Sequence, residues 1–139
     1  MVTTRVATGE WHGSLLEGSG RVTLESSGLG TFDVTWASRA EQPEGRTSPE
    51  ELIAAAHAAC FSMALSSGLA NAGHPPTTLN TRAEVDFQAG EGITGVRLWV
   101  SGKVPGMDDD GFREAAESAR AGCPVSKALA GVPIALTIG

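Results

Sequence analysis

The chain has 139 residues, 41% of them hydrophobic and 19% charged, enough to bury one sizeable core, so residues 1–139 are expected to form a single domain. Sixteen acidic against ten basic residues give a formal net charge of −6 with no long run of either sign, only 5% of residues are aromatic and none is tyrosine, which excludes the basic face and stacking platform of a nucleic-acid binder and the basic patch that an anionic membrane recruits. Two cysteines are too few for a disulfide-built secreted module, and the opening MVTTRVATGEWHG lacks the charged and apolar regions of a signal peptide, which points to a cytoplasmic protein.

From Thr4 to Trp36 the chain alternates, with VTLES at 22–26 and TFDVTW at 31–36 separated by SSGLG. This pattern predicts short antiparallel strands. Residues 40–47, AEQPEGRT, read as an exposed connection. A long helix follows, because Ser48 suits an N-cap, Pro49 the first helical position and Glu51 the third residue of a capping box. Alanines at 54, 55, 56, 58 and 59 are strong helix formers of little bulk, so this helix is expected to be central and buried. It should end near residues 68–73, giving about 22 residues and roughly 33 Å. Its most apolar stretch, Leu52 to Leu65, is broken by His57, Cys60 and Ser62 and falls short of the ~20 residues of a membrane span, so no membrane crossing is expected.

After the HPP turn at 74–76, the alternating runs 79–88 and 93–104 are joined by a glycine-bearing AGEG and predict a hairpin. Asp108 to Asp110 supply an N-cap and negative charge for a helix over 111–120 that Gly122 ends. Pro124 opens a short helix through Leu129, and VPIALTI at 132–138 reads as a last strand. The fold class is α+β, with predominantly antiparallel sheets.

The two cysteines are the residues most able to carry chemistry. Cys60 lies mid-helix with Ala56, His57, Met63 and Ala64 on its face, which fits a buried structural thiol. Cys123 precedes a proline at a helix start, where unsatisfied N–H groups and the positive end of the macrodipole lower a thiol's pKa. Physical chemistry alone therefore slightly favours Cys123 as a nucleophile. Thiols 63 positions apart can form one redox pair only if the fold joins them, and spacing does not establish that contact.

The segments SPEELIAAAHAACFSMAL at 48–65 and AGCPVSKAL at 121–129 are specific signatures. In this order, and with GEWHGSLLEGSG upstream, the chain resembles the OsmC/Ohr family, named for osmotically inducible protein C and organic hydroperoxide resistance protein. The AAAHAACFSMAL helix and the HPP turn are more similar to the OsmC branch. The resemblance implies antiparallel sheets around a long central helix in an intertwined homodimer. It also implies a thiol-dependent peroxidase for organic hydroperoxides, acting in oxidative or osmotic stress. Cys60 aligns with the peroxidatic cysteine and Cys123 with the resolving one. A dithiol, in the family a lipoylated protein, is the implied reductant, and no metal, haem or flavin is implied.

A peroxidatic thiol needs a cation or hydrogen-bond donors to persist as thiolate. The resemblance points to Arg39, placed at the end of the third strand, with Arg46 in the loosely aligned loop as its rival. Glu50 matches the family's PE motif, where it orients the arginine, whereas capping explains Glu51. Glu50 and Cys60 stand ten residues apart on one predicted helix, about 15 Å along its axis, so a partner subunit or a bridging Arg39 would have to join them. His57, one turn from Cys60, could favour the thiolate or take its proton, but a packed, hydrogen-bonded histidine is the simpler reading. Phe61, Met63 and Leu65 read as core residues, some of them able to line an apolar channel for organic peroxides.

Two other classes carry less support. A metal site drawn from Cys60, Cys123, His57, His12 and His74 lacks the short-range ligand pairs that zinc sites use. A non-catalytic stress or ligand-binding protein on the same fold is the second, and retention of both cysteines argues against it. GSG at 18–20 lacks the following glycine and helix of a phosphate loop, so a nucleotide enzyme is not expected.

Overall fold

The computed structural model describes residues 1–139 as two compact units, 1–49 and 50–139. In the first, β1 (Ala7–His12), β2 (Ser19–Leu24) and β3 (Thr31–Val34) form an antiparallel sheet in the order β1-β2-β3. The alternation of 22–36 does not continue to Trp36 as a strand. It stops at Val34, and a five-residue helix, α1 (Trp36–Ala40), takes over. The reason is a capping box: the Thr35 side chain accepts from the Ser38 N–H at 3.0 Å and the Thr35 N–H donates to the Ser38 hydroxyl at 3.0 Å. These bonds satisfy the amides that open the helix. Ser38 Oγ also lies 2.8 Å from the Thr47 carbonyl, and Thr47 forms a parallel bridge with Val34, which straps the 40–47 connection back onto β3.

All of α2 (Pro49–Asn71), 23 residues long, but its first residue belongs to the second unit. Pro at the first position suits a helix start because its missing N–H would have no partner there. The sheet that follows comprises β4 (Thr78–Gln88), β5 (Gly92–Lys103) and β6 (Ile134–Ile138), in the order β4-β5-β6. The predicted hairpin is β4 and β5, paired antiparallel with an irregularity at Asp86/Phe87. β6 joins the other side of β5 in parallel, which the intervening helices α3 (Asp109–Gly122) and α4 (Pro124–Ala128) make possible. Asp108 caps α3, its carboxylate accepting from the Gly111 N–H at 2.7 Å.

Side chains alternate faces along β5. Val96, Leu98 and Val100 are buried against Phe61, Leu65 and Leu69 of α2 and Ala116 and Ala119 of α3. On the outer face, the Arg97 guanidinium hydrogen-bonds the carboxylates of Glu84 and Asp86, and Arg82 lies 5.7 Å above the Trp99 ring.

α2 differs from expectation in two ways. Its buried residues past the first turn are His57, Phe61, Leu65 and Leu69, a stripe of every fourth residue, while Ala55, Ala56, Ala59 and Met63 are exposed in the protomer. The helix is thus anchored along one face rather than buried all round. By length and composition it is also apolar enough to cross a membrane, with a mean hydropathy of 1.5. The stretch 52–65 underestimates it because the helix runs on to Asn71. Its buried stripe makes it the core helix of the second unit.

Truncating Leu65, fully buried in that stripe, to alanine is expected to destabilise the protein by about 2–5 kcal/mol, measured from urea midpoints. Val2→Ala, at a residue 91% exposed, should stay within roughly 0.5 kcal/mol of wild type. Similar losses in both variants would contradict this assignment of the core.

Candidate functional site

The second unit brings the two cysteines together. Cys60 lies beside the buried stripe of α2, half-buried, with its sulfur in hydrogen-bonding contact with the Cys123 side chain and with the Val125 N–H. Cys123 is fully buried and holds an unusual double post. It is the C-cap of α3, its N–H donating to the Ala119 carbonyl at 3.0 Å, and the N-cap of α4, its sulfur accepting from the Ser126 N–H at 3.4 Å.

This geometry distributes the free amides of α4 between the two sulfurs. Pro124 has no N–H to offer, Val125 donates to Cys60, Ser126 to Cys123, and the Lys127 N–H closes the first helical bond on the Cys123 carbonyl at 3.0 Å. The amides at this helix start, which the sequence placed beside Cys123, thus also reach Cys60, which sequence position alone assigned an apolar setting. Burial pushes the Cys60 thiol above its ordinary value, the Val125 amide pulls it down, and the adjoining Cys123 thiol adds to the rise.

A chain of polar groups runs behind Cys123. Ser126 Oγ lies 3.1 Å from Cys123 Sγ and 2.8 Å from His57 Nε2. Ser126 is 4% exposed and His57 is completely buried. His57 Nδ1 has no hydrogen-bond partner. Burial without a countercharge holds the imidazole below its ordinary pKa, so it is neutral. His57 is thus the packed, hydrogen-bonded histidine that the sequence suggested, but its partner is 69 residues away. Val125 and Ser126 were missed by sequence reasoning, although the Cys-Pro-x-Ser spacing of a short capped helix was there to be read.

The other predicted residues stand as follows. Arg39 is not at the end of a strand but in the last turn of α1 in the first unit, because the Thr35 capping box starts a helix there. Arg46 is exposed in the turn after Pro43, its N–H donating to the Pro43 carbonyl. Glu50 is buried in the first turn of α2, and the helix is continuous to Cys60, so the two stay about 15 Å apart along its axis. Phe61 and Leu65 are core residues, whereas Met63 is 72% exposed. His74 Nδ1 lies 3.3 Å from the Pro105 carbonyl, and His12 pairs with Glu10 at 2.7 Å. No three His, Cys, Asp or Glu side chains cluster as metal ligands.

Comparison with known proteins identifies what the chain as a whole is similar to. Residues 42–137 match the family model described as OsmC-like protein. Peroxiredoxin OsmC of Escherichia coli (strain K12) is 45% identical over 122 residues, covering 86% of this chain and 85% of that protein. The crystal structure of an organic hydroperoxide resistance protein OsmC from Legionella pneumophila superposes with a TM-score of 0.74 at 26% identity, covering 100% of this chain and 98% of the other. The organic hydroperoxide resistance protein OhrB of Bacillus subtilis gives 0.75 at 27% identity, covering 96% of this chain and 98% of the other.

The neutral His57 gives a pH signature. An unfolded histidine titrates near 6.5, whereas burial holds folded His57 lower. Its contribution is therefore intact above about pH 6.5 and lost as pH falls below it, when only the unfolded chain takes up the proton. Hydrogen bonds from Arg82 and Arg97 hold Glu84 below the usual carboxylate range, and those from Arg97 hold Asp86 there, so their losses come at lower pH. Urea midpoints taken at pH 7.5 and 5.5 should fall further for wild type than for His57→Gln. Equal falls would contradict a buried neutral imidazole.

Proposed function

The chain belongs to the OsmC-like protein family, and on that footing we propose that it is a thiol-dependent peroxidase that reduces organic hydroperoxides to alcohols, as a single-domain cytoplasmic protein of the oxidative or osmotic stress response. The observation that carries this reading is the contact of the Cys60 and Cys123 thiols across 63 residues of chain. Of the two, Cys60 is the one that solvent reaches, and it receives the Val125 amide. It is therefore the peroxidatic thiol, and the buried Cys123 is the resolving one.

The Cys60 thiolate attacks the distal oxygen of the hydroperoxide, an S–O bond forms as the O–O bond breaks, and the alkoxide leaves and takes up a proton. Cys60 is left as a sulfenic acid. Cys123 then attacks the Cys60 sulfur, forming the disulfide and releasing water. An external dithiol, such as a lipoyl group on a protein, reduces the bond by exchange. Arg39 is assigned as the cation that sustains the thiolate and Glu50 as the carboxylate that orients it. A homodimer would cover the apolar face of α2 that Ala55, Ala59 and Met63 leave open. The alternative of a non-catalytic binding protein on this fold offers no reason for two thiols in contact.

Consumption of cumene hydroperoxide with dihydrolipoamide should be lost in Cys60→Ser. Cys123→Ser should consume about one equivalent and stop at the sulfenic acid. Full activity of Cys60→Ser, or no consumption by wild type, would overturn the assignment. An adjacent cation is worth about 1–3 pKa units to an acid. Arg39→Ala should therefore lower the peroxide reaction at pH 7 by roughly 10- to 1000-fold and shift iodoacetamide labelling of Cys60 to higher pH. The same change in Arg46→Ala, with none in Arg39→Ala, would move the assignment to Arg46.

A further inference from the structure

The reaction above leaves the buried groups behind Cys123 without a task. To condense with the sulfenic acid, Cys123 must lose a proton, yet its sulfur is fully buried and has no bulk water to receive one. The side chain beside it is the Ser126 hydroxyl at 3.1 Å, and beyond that His57 Nε2 at 2.8 Å. The far nitrogen of that histidine, Nδ1, is buried and unpartnered. A buried polar atom left without a partner costs about 1–3 kcal/mol, which an apolar side chain of similar size would avoid. Packing alone therefore gives no reason for an imidazole at this position.

Resting on the reading of Cys123 as the resolving thiol, we propose that Ser126 and His57 form a proton relay that activates Cys123 for disulfide formation. With the Nδ1–H tautomer of His57, the Cys123 thiol donates to Ser126 Oγ and the Ser126 hydroxyl donates to His57 Nε2. As the Cys123 sulfur attacks Cys60, the S–S bond forms and the S–O bond of the sulfenic acid breaks. The thiol proton passes to Ser126 while the hydroxyl proton passes to Nε2. Ser126 passes a proton on to the hydroxide departing from the adjoining Cys60 and recovers one from Nε2, so the products are one disulfide and one water and the relay is unchanged. Burial disfavours the imidazolium, which makes it a transient carrier rather than a resting charge. When an external dithiol reopens the disulfide at Cys60, the same chain run backwards protonates the departing Cys123 thiolate. Ser126 touches a reacting atom. His57 acts through it, as a positioning and proton-holding residue.

The test separates the two chemical steps. Reduced protein is mixed with one equivalent of cumene hydroperoxide and quenched at intervals, with peroxide loss, dimedone-trapped sulfenic acid and disulfide each measured by mass spectrometry or assay. In Ser126→Ala and in His57→Gln the peroxide-consuming phase should persist, while disulfide formation slows by roughly 10²-fold and trapped sulfenic acid accumulates. The double variant should be no slower than the slower single one, and Ser126→Thr, which keeps the hydroxyl, should recover most of the rate. Disulfide formation at the wild-type rate in Ser126→Ala would overturn the relay and leave the peroxidase reading standing. Equal slowing of both phases would also overturn it, since the pair would then only hold α2 and α4 in place. No peroxide phase in wild type would overturn the peroxidase reading and the relay with it. Should His57→Gln not fold, Ser126→Ala, a loss of one oxygen at a small residue, decides the matter.

Discussion

The rotational setting of α2 is the constraint on which the rest of the second unit depends. Four side chains at successive fourth positions, His57, Phe61, Leu65 and Leu69, are sealed completely from solvent. Because a helix advances by 3.6 residues per turn, burial at this spacing leaves the helix almost no freedom to roll. Cys60 sits just beside that stripe, so its sulfur is fixed in place and still half-open to solvent. A cysteine within the stripe would be unreachable by a substrate, and one on the opposite face would have no partner thiol. The same stripe begins with His57, so the packing that positions the Cys60 sulfur also presses an imidazole against α4.

The second requirement falls on Cys123, which ends one helix and begins the next with backbone angles of −65° and 144°. A helix start leaves amides with nothing inside the helix to bond. Here the two that remain free are each given to a sulfur, a division that depends on proline standing at position 124. The peptide that turns the chain between α3 and α4 therefore also presents its amides to both thiols. Glycine at 122 and alanine at 116 and 119 keep α3 slim where it approaches this turn, and the two alanines are part of the core.

Much of this was legible in the sequence, because it is local. The hairpin of β4 and β5, the capped start of α3, the proline that opens α4 and the extent of α2 follow from alternation, spacing and cap residues. The family signatures singled out Cys60 and Cys123, the two thiols that the fold brings together. What escaped is what local pattern does not encode. The Thr35–Ser38 capping box lies inside an alternating run, so a helical turn was read as strand and Arg39 was placed on the wrong element. The parallel docking of β6 on β5 depends on the path of two helices between them. The hydrogen bond between His57 and Ser126 spans 69 residues, and nothing near either residue announces the other. The exposure of Met63 and its alanine neighbours is likewise a property of the folded protomer, invisible in a run that is apolar throughout.

The outer face of the second sheet has a consequence of its own. β4 is an edge strand of eleven residues, long enough to template the addition of a foreign strand. Its outward positions carry Arg82, Glu84 and Asp86, already engaged with one another or with Arg97 and Trp99. An identical strand laid alongside in parallel register would set arginine against arginine and carboxylate against carboxylate, at a cost that the existing ion pairs could not offset. The charge pattern thus guards a long open edge against fibril-like stacking, a hazard that grows whenever oxidative damage loosens neighbouring molecules at high concentration.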